Sequence, residues 1–473
     1  MFAQTPQERY NALKQQAQQR YNDARNKAES EYAAFRKRAN EEYAAALERA
    51  WQSMNIEPAL SVPKEPNPPK PSAPPAPDKV PTTDPLPMVK VTPLENPKPA
   101  IPAPPIPEPS PTTPSMNFII YGINCNVHTN VDELSFKLTS IDEKGAAEAW
   151  KIMSQNKYDG LLHDCLARRD ELHLGDWGYL KLLQAMSEKL LGQGTNEAVL
   201  LQMYLLTQSG YNVRLAKVDG HFTLLVPFSR KIYSYSYTII GDNDYYILTK
   251  NKSKSKTIEV CKLSFPRERI ADIRLAELPT LSGKSQPKRT FASERFGTLK
   301  ADISVDKSII EFMNDYPLSN EWDCYALAGL SDNVKKDLYP VLRSQIEGKS
   351  IKKAATMLLD FVQTAFDYAT DQEQFGYERP LFADESFYYP KNDCEDRSIV
   401  YSILVRDLLG LDVALVHWPG HLGTAVAFPE EVNGDYFTVD GKRYTVCDPT
   451  YIGAGIGMTM PTMKDKKATL IKL

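Results

Sequence analysis

The first 121 residues contain no glycine, no cysteine and no histidine; the earliest of each are Gly122, Cys125 and His128. This stretch has no residue that takes positive φ at little cost, and no thiol or imidazole. Chemistry is therefore expected only after about residue 115. Cysteine is sparse throughout, with six residues (Cys125, Cys165, Cys261, Cys324, Cys394, Cys447) and no CxxC pair. That excludes a disulfide scaffold and a zinc ribbon and leaves the redox compartment open. No run approaches 18 apolar residues, so no transmembrane segment is expected. A net charge of −4 and a pI near 6.0 provide no broad basic footprint, which argues against nucleic acid as a partner. The start, Met1-Phe2-Ala3-Gln4-Thr5, lacks the charged and apolar regions of a secretory leader. Read as the stub of a leader whose upstream part is missing, it favours the cell envelope, the periplasm or secretion; otherwise the chain is expected in the cytoplasm.

Proline is abundant, and in one place: 22 of the 35 fall between Pro58 and Pro114. Residues 58–115 read as a proline-rich linker, because proline fixes φ and holds its predecessor extended. Fully in polyproline II it would reach roughly 180 Å at about 3.1 Å per residue. A spacer is favoured over a ligand for SH3-like domains.

Residues 1–57 precede it. Between Arg9 and Gln52 they divide into four elevens, with Tyr10, Tyr21, Tyr32 and Tyr43 in one register, Leu13, Ala24, Phe35 and Ala46 in the next, and Ala17, Ala28, Ala39 and Ala50 in the third. Spacings of 3, 4 and 4 average about 3.67 residues per turn, which keeps one stripe on one face of a long helix. A solvated single helix and self-association through residues 9–52 as a right-handed coiled coil are both open.

The remaining 358 or so residues exceed what one core usually serves, so two folded domains are expected. Slid against itself, this part shows one strong register, an offset of 200. The stretch from Gly194 (GTNEAVLLQMYLLTQSGYNVRLAKVDGHFTLLVPF) lies over that from Cys394 (CEDRSIVYSILVRDLLGLDVALVHWPGHLGTAVAF) without a gap. Each predicts a helix ending at a C′ glycine, an apolar strand, a two-residue turn and a second strand that starts at His221 or His421. The fold class is α+β, with two related halves at 116–265 and 351–473 and a mixed connecting segment at 266–350.

The chemistry concentrates in the second half. Asn392-Asp393-Cys394-Glu395-Asp396 places a thiol in the first turn of a helix, where thiolate is favoured and the acids close caps. The acids oppose a thiolate, so they are expected to point away from the sulfur, into caps or a bound cation. His421 opens the strand beside that helix, and Asp448 ends the next hairpin. A helix on an antiparallel sheet brings these ends to one edge as nucleophile, base and orienting carboxylate. His417 is the other candidate base, but the self-alignment puts it over Lys217 and puts His421 over His221. Cys447 is read as core packing. An inert thiol at Cys394 and a metal site from Cys394, His421, Cys447 and Asp448 are the competing readings; the latter lacks ligands at short spacing.

The runs DCEDRS, PGHLGTAVAF and VCDPTY resemble the transglutaminase-like superfamily, papain-like enzymes with Cys, His and Asp in that order, over about residues 354–457. The resemblance implies Cys394 as nucleophile, His421 as general base and acid, and Asp448 as the group that orients it. Asn392 stands where the family usually has glycine, which affects the turn more than the chemistry. DCED also resembles bacterial transglutaminase-like cysteine proteinases, some of which bind calcium beside the cysteine; this implies Asp393 and Glu395 as ligands, although caps explain them equally. No other cofactor is expected. Gly194 stands where Cys394 does, so the first half reads as a catalytically dead duplicate. The expected function is thiol-dependent acyl transfer on amide bonds of a protein or peptide substrate, as a cysteine protease or amidase. A crosslinking transglutaminase and a non-catalytic scaffold are the alternatives. Aromatics between Phe375 and Pro390 line a cleft or cap the core.

Overall fold

The computed structural model describes residues 6–63, 83–106, 108–110, 112–248 and 255–473. The reading of residues 1–5 as a leader stub, and the part of the linker at 64–82, lie outside the described residues.

Pro6–Leu47 form one helix, with proline at a position whose missing N–H costs nothing. The eleven-residue register does not run to its end. After Leu47 the chain turns, and Trp51–Asn55 form a strand paired antiparallel to Thr257–Cys261. The stripe is also divided along its length. Tyr10, Leu13 and Tyr21 are exposed, whereas Ala39, Tyr43 and Leu47 are buried against the first half. The Tyr43 ring lies 4.6 Å from that of Trp150. A buried arginine fixes this seat: Arg36 bonds Asp159 (2.5 Å), Gln208 (2.6 Å) and the Tyr204 hydroxyl (2.8 Å). One face of residues 36–47, carrying Arg36, Ala39, Asn40, Tyr43, Ala44 and Leu47, is thus part of the first half's core and not free for a coiled coil.

Two six-stranded sheets share one strand order and differ in the sense of one outer strand, which is antiparallel to its neighbour in the first and parallel in the second. In the first the order is Trp51–Asn55, Thr257–Cys261, Arg214–Val218, His221–Pro227, Asn243–Ile247, Tyr237–Ile240. In the second it is Met88–Thr92, Ala468–Lys472, Val413–Trp418, His421–Val426, Lys442–Cys447, Tyr436–Val439. The central hairpins even share register at the offset of 200: Arg214 faces Leu225 as Ala414 faces Ala425, and Val218 faces His221 as Trp418 faces His421. In front of each hairpin a helix, Asn196–Gln208 or Cys394–Leu409, ends at a positive-φ glycine, Gly210 or Gly410. Positive φ is where a Cβ is penalised, so glycine there stops a helix at least cost.

Both outer strands come from the N-terminal region, and this changes the reading of the linker. Met88–Thr92 pair in parallel with Ala468–Lys472, and the Lys98 N–H donates to Asp272 (3.1 Å). Ile106 is buried. The described part of the linker is a strap that closes the edge of the second sheet and crosses to the first half. A free reach of 180 Å is excluded for it, because its backbone groups and apolar side chains are taken up by both halves.

The segment between the halves holds an antiparallel pair, Arg289–Ala292 with Lys300–Ile303, and the helices Lys307–Asp315, Asp323–Ala326 and Asp332–Ile346. The largest group of buried apolar residues runs from Ala39 to Leu473 through both halves, so the two expected domains share a core. Among the described residues no helix is long and apolar enough to cross a membrane.

Candidate functional site

The helix Cys394–Leu409 starts beneath the strand His421–Val426, and the main chain at Leu422 joins them. Its N–H points at the Cys394 sulfur, and its carbonyl accepts from Ser398 Oγ (3.0 Å), one helical turn on. In the first half, with glycine at 194, the corresponding N–H of Phe222 donates instead to Asn196 Oδ1 (2.8 Å), and His221 is exposed.

His421 is held on three sides. Its Nε2 lies 2.8 Å from Asp448 Oδ2, and its ring stacks on Trp418 at 5.8 Å with 12° between planes. Behind it is Gly423, where a Cβ would come within 3.0 Å of Trp418 and 3.7 Å of His421 Nε2. Nδ1 is buried and has no hydrogen-bond partner. The other oxygen of Asp448 accepts the N–H groups of Thr450 (2.9 Å) and Tyr451 (3.3 Å), which fixes the carboxylate toward the ring. Gln363 anchors the same loop, with Nε2 donating to the carbonyls of Asp448 (2.9 Å) and Tyr451 (2.9 Å) and Oε1 accepting from Gly453 (3.1 Å).

Cys394 and His421 line one small cavity with Trp322, Thr370, Glu378 and His417. It holds about 20 Å³, room for a single water. Cys394 is 4% exposed and His421 1%. His417 packs its ring 4.7 Å from that of Trp322 and takes no part in the contact with Asp448. Cys447 is buried in the core that the sheet shares with the helix Cys394–Leu409, beside Tyr401.

The acids do not all turn from the sulfur. Asp396 caps as expected, accepting from Leu381 N (2.9 Å) and Asp393 N (3.2 Å). Glu395 turns back, and the Cys394 thiol donates to its Oε2 at 3.1 Å. With both partners buried, a hydrogen bond from the thiol is preferred to one from distant water. Two more acids arrive from the loop ahead: Asp371, Asp393 and Asp396 bring carboxylate oxygens within 4.8 Å of one another, as do Asp371, Glu378 and Glu395. Burial first, then mutual repulsion, pushes Asp371 up to about 10, Asp396 up to about 8 and Asp393 well above the usual carboxylate range. Burial, then Glu395 and Asp393, pushes the Cys394 thiol well above its ordinary value.

Arg397 is completely buried among these groups, donating to Asn392 Oδ1 (3.0 Å) and to the carbonyls of Gln363 (3.1 Å) and Phe366 (2.8 Å). It ties the turn at Asn392 to the end of the helix Ile351–Thr364. The aromatics of 375–390 do not line the cavity: Phe382 and Phe387 are core, Tyr377 is exposed, and Phe375 and Tyr389 flank the Arg379 guanidinium at 4.8 and 5.1 Å. Sequence reasoning missed Gln363, Arg397, Trp322, Asp371 and Glu378. Gln363 alone carried a signal, as a polar residue following the apolar pair Phe361-Val362 on an amphipathic helix.

Searches against protein-family models, curated proteins and solved structures return no match to this chain.

Proposed function

We propose that residues 351–473 carry a thiol-dependent acyl-transfer site of transglutaminase-like type, acting on amide bonds of a protein or peptide. The observation that carries the reading is the state of His421. Asp448 occupies Nε2 and leaves Nδ1 buried and unpartnered, and His421 and Cys394 line the same cavity. An imidazole with one nitrogen held by a carboxylate and the other open is set to take a proton there. The sulfur turns from Glu395 to His421 and passes its proton to Nδ1. The thiolate, steadied by the Leu422 N–H, then attacks the amide carbonyl, and a main-chain N–H near the helix start receives the oxyanion. His421 returns the proton to the leaving amine. Water resolves the acyl-enzyme in a protease or amidase, and an amine resolves it in a transglutaminase.

The carboxylates fit the calcium site that the resemblance implies. Asp371, Asp393 and Asp396 form one all-oxygen group of the kind calcium takes and Asp371, Glu378 and Glu395 a second, so that Asp393 and Glu395 stand one in each, and Asp393 Oδ1 is buried without a partner. Calcium bound there would supply positive charge against the carboxylates beside the thiol.

The scaffold reading keeps one observation in its favour, the thiol held protonated against Glu395. Mass-mapped alkylation of Cys394 by iodoacetamide, in saturating calcium, separates the two. A rate that falls with His421→Ala supports acyl transfer; a rate indifferent to His421→Ala removes it and leaves the scaffold.

A further inference from the structure

We infer that the first half, which has Gly194 at the position of Cys394, and the proline-rich strap together hold Trp322 as a cover over the Cys394 site, with Arg230 as its lock. The inference rests on the acyl-transfer reading of that site and concerns its regulation.

An acyl group must bring its carbonyl carbon to roughly 3–3.5 Å from the sulfur. The cavity of about 20 Å³ has no room for one, so a wall has to move. Gly420–Leu422 and Asp393–Glu395 belong to the strand and the helix that carry the reacting groups. Asp371 is tied down by hydrogen bonds to Asp393 (3.3 Å) and Arg379 (2.5 Å). Trp322 is the wall contributed from outside residues 351–473, and the hydrogen bonds that hold Cys394, His421 and Asp448 go to Glu395, to one another and to Thr450 and Tyr451, not to Trp322.

Grips on its segment come from the first half, while the residues just beyond it are held by the second, Ala326 by Arg406 and Tyr325 against Phe382. Tyr233 N–H donates to the Leu318 carbonyl (2.9 Å), and the Tyr233 hydroxyl donates to Asn320 (2.8 Å). Arg230 ion-pairs with the two acids that flank Trp322 in sequence, Glu321 at 2.8 Å and Asp323 at 3.3 Å. The same guanidinium holds Glu95 of the strap at 2.9 Å, and Arg274 donates to the Glu95 carbonyl at 2.7 Å. One cation thus joins three parts of the chain around the cover. Because the Glu95 and Glu321 side chains are 56% and 40% exposed, the lock is open to salt and to a competing charged partner. The duplicate that lacks the thiol thereby acquires a role of its own, which is to keep the live site shut.

The test is the rate of iodoacetamide alkylation of Cys394 in the full chain, mapped by mass spectrometry so that Cys324, two residues beyond the cover, is scored separately. Trp322→Ala and Arg230→Ala are expected to raise the rate by about tenfold or more, as a local opening becomes populated, with Arg230→Lys in between. Glu321→Gln, a change at a half-exposed carboxylate, repeats the test where the larger substitutions compromise folding. Unchanged rates in folded Trp322→Ala and Glu321→Gln overturn the cover. Adding His421→Ala to the opened protein isolates the underlying reading: a fast rate indifferent to His421 keeps the cover and removes the acyl-transfer site.

Discussion

Asp448 holds His421 by Nε2 at 2.8 Å, and the same carboxylate is itself held by the N–H groups of Thr450 and Tyr451. The imidazole therefore has one orientation, with Nδ1 buried and unpartnered. Asp448→Asn keeps the shape but removes the charge that supports an imidazolium. Acyl transfer is expected to fall by about 10²-fold or more, with little change in unfolding temperature, in single-turnover assays with a peptide substrate.

Gly423 backs the same ring. A methyl group there meets Trp418 at 3.0 Å and stands 3.7 Å from both His421 Nε2 and Asp448 Cγ. Gly423→Ala is expected to cost about 1–3 kcal/mol in urea unfolding, as overpacking does. It should lower the alkylation rate of Cys394 in protein that remains folded.

The seat of the N-terminal helix depends on Arg36, whose side chain is 7% exposed against Asp159 at 13%. Arg36→Ala leaves a carboxylate buried without its cation, and a loss of about 3 kcal/mol is expected. Arg36→Ala with Asp159→Asn should recover part of it, as a double-mutant cycle in urea would measure.

Stability should depend on pH through Asp384. Burial is the main cause that raises its carboxyl from 3.8 to about 6, against hydrogen bonds from Ser331. A raised carboxyl favours the folded state most when both states are protonated. Its contribution is complete below about pH 4 and is lost as pH rises through about 6. Asp384→Asn, neutral throughout, should cancel a decline of up to about 3 kcal/mol between those limits, read from denaturant midpoints at each pH.

Calcium is expected to raise the melting temperature, and chelation to reverse the rise. At a hundredfold excess over the dissociation constant the gain is about 2.7 kcal/mol. Asp371→Asn with Glu378→Gln should abolish it in scanning fluorimetry, whereas a calcium response that survives both changes would remove the proposed ligand set.

The repeat of two helix-hairpin units was legible because it rests on near-neighbour chemistry. Gly210 and Gly410 stop helices, Asp219-Gly220 and Pro419-Gly420 turn hairpins, and alternation sets which strand residues face inward, all within a few residues. Cys394, His421 and Asp448 were legible for the same reason, since each stands at the end of an element whose limits are marked locally. The direction of Glu395 was not, because a charge argument assumes solvent, and Glu395 lies buried beside the thiol. Nor was the group of acids complete: Asp371 opens the short helix Asp371–Gln374 behind a Thr370–Glu373 capping box, a local signal that marks a helix start and not its neighbours in space, and Glu378 follows in the loop beyond it.

By itself the sequence determined the helix of elevens, the paired units and the three residues proposed to react, through periodicity, caps and turns that act over a few residues. Only the tertiary structure decided that Ala39 and Tyr43 of the helix stripe are buried, that Met88–Thr92 complete a sheet at residue 468, and that Trp322 lines the Cys394 cavity between two acids paired with Arg230. These contacts join segments tens to hundreds of residues apart. Many surfaces could satisfy a proline-rich strand or an arginine equally well until the folded shape places one of them within reach.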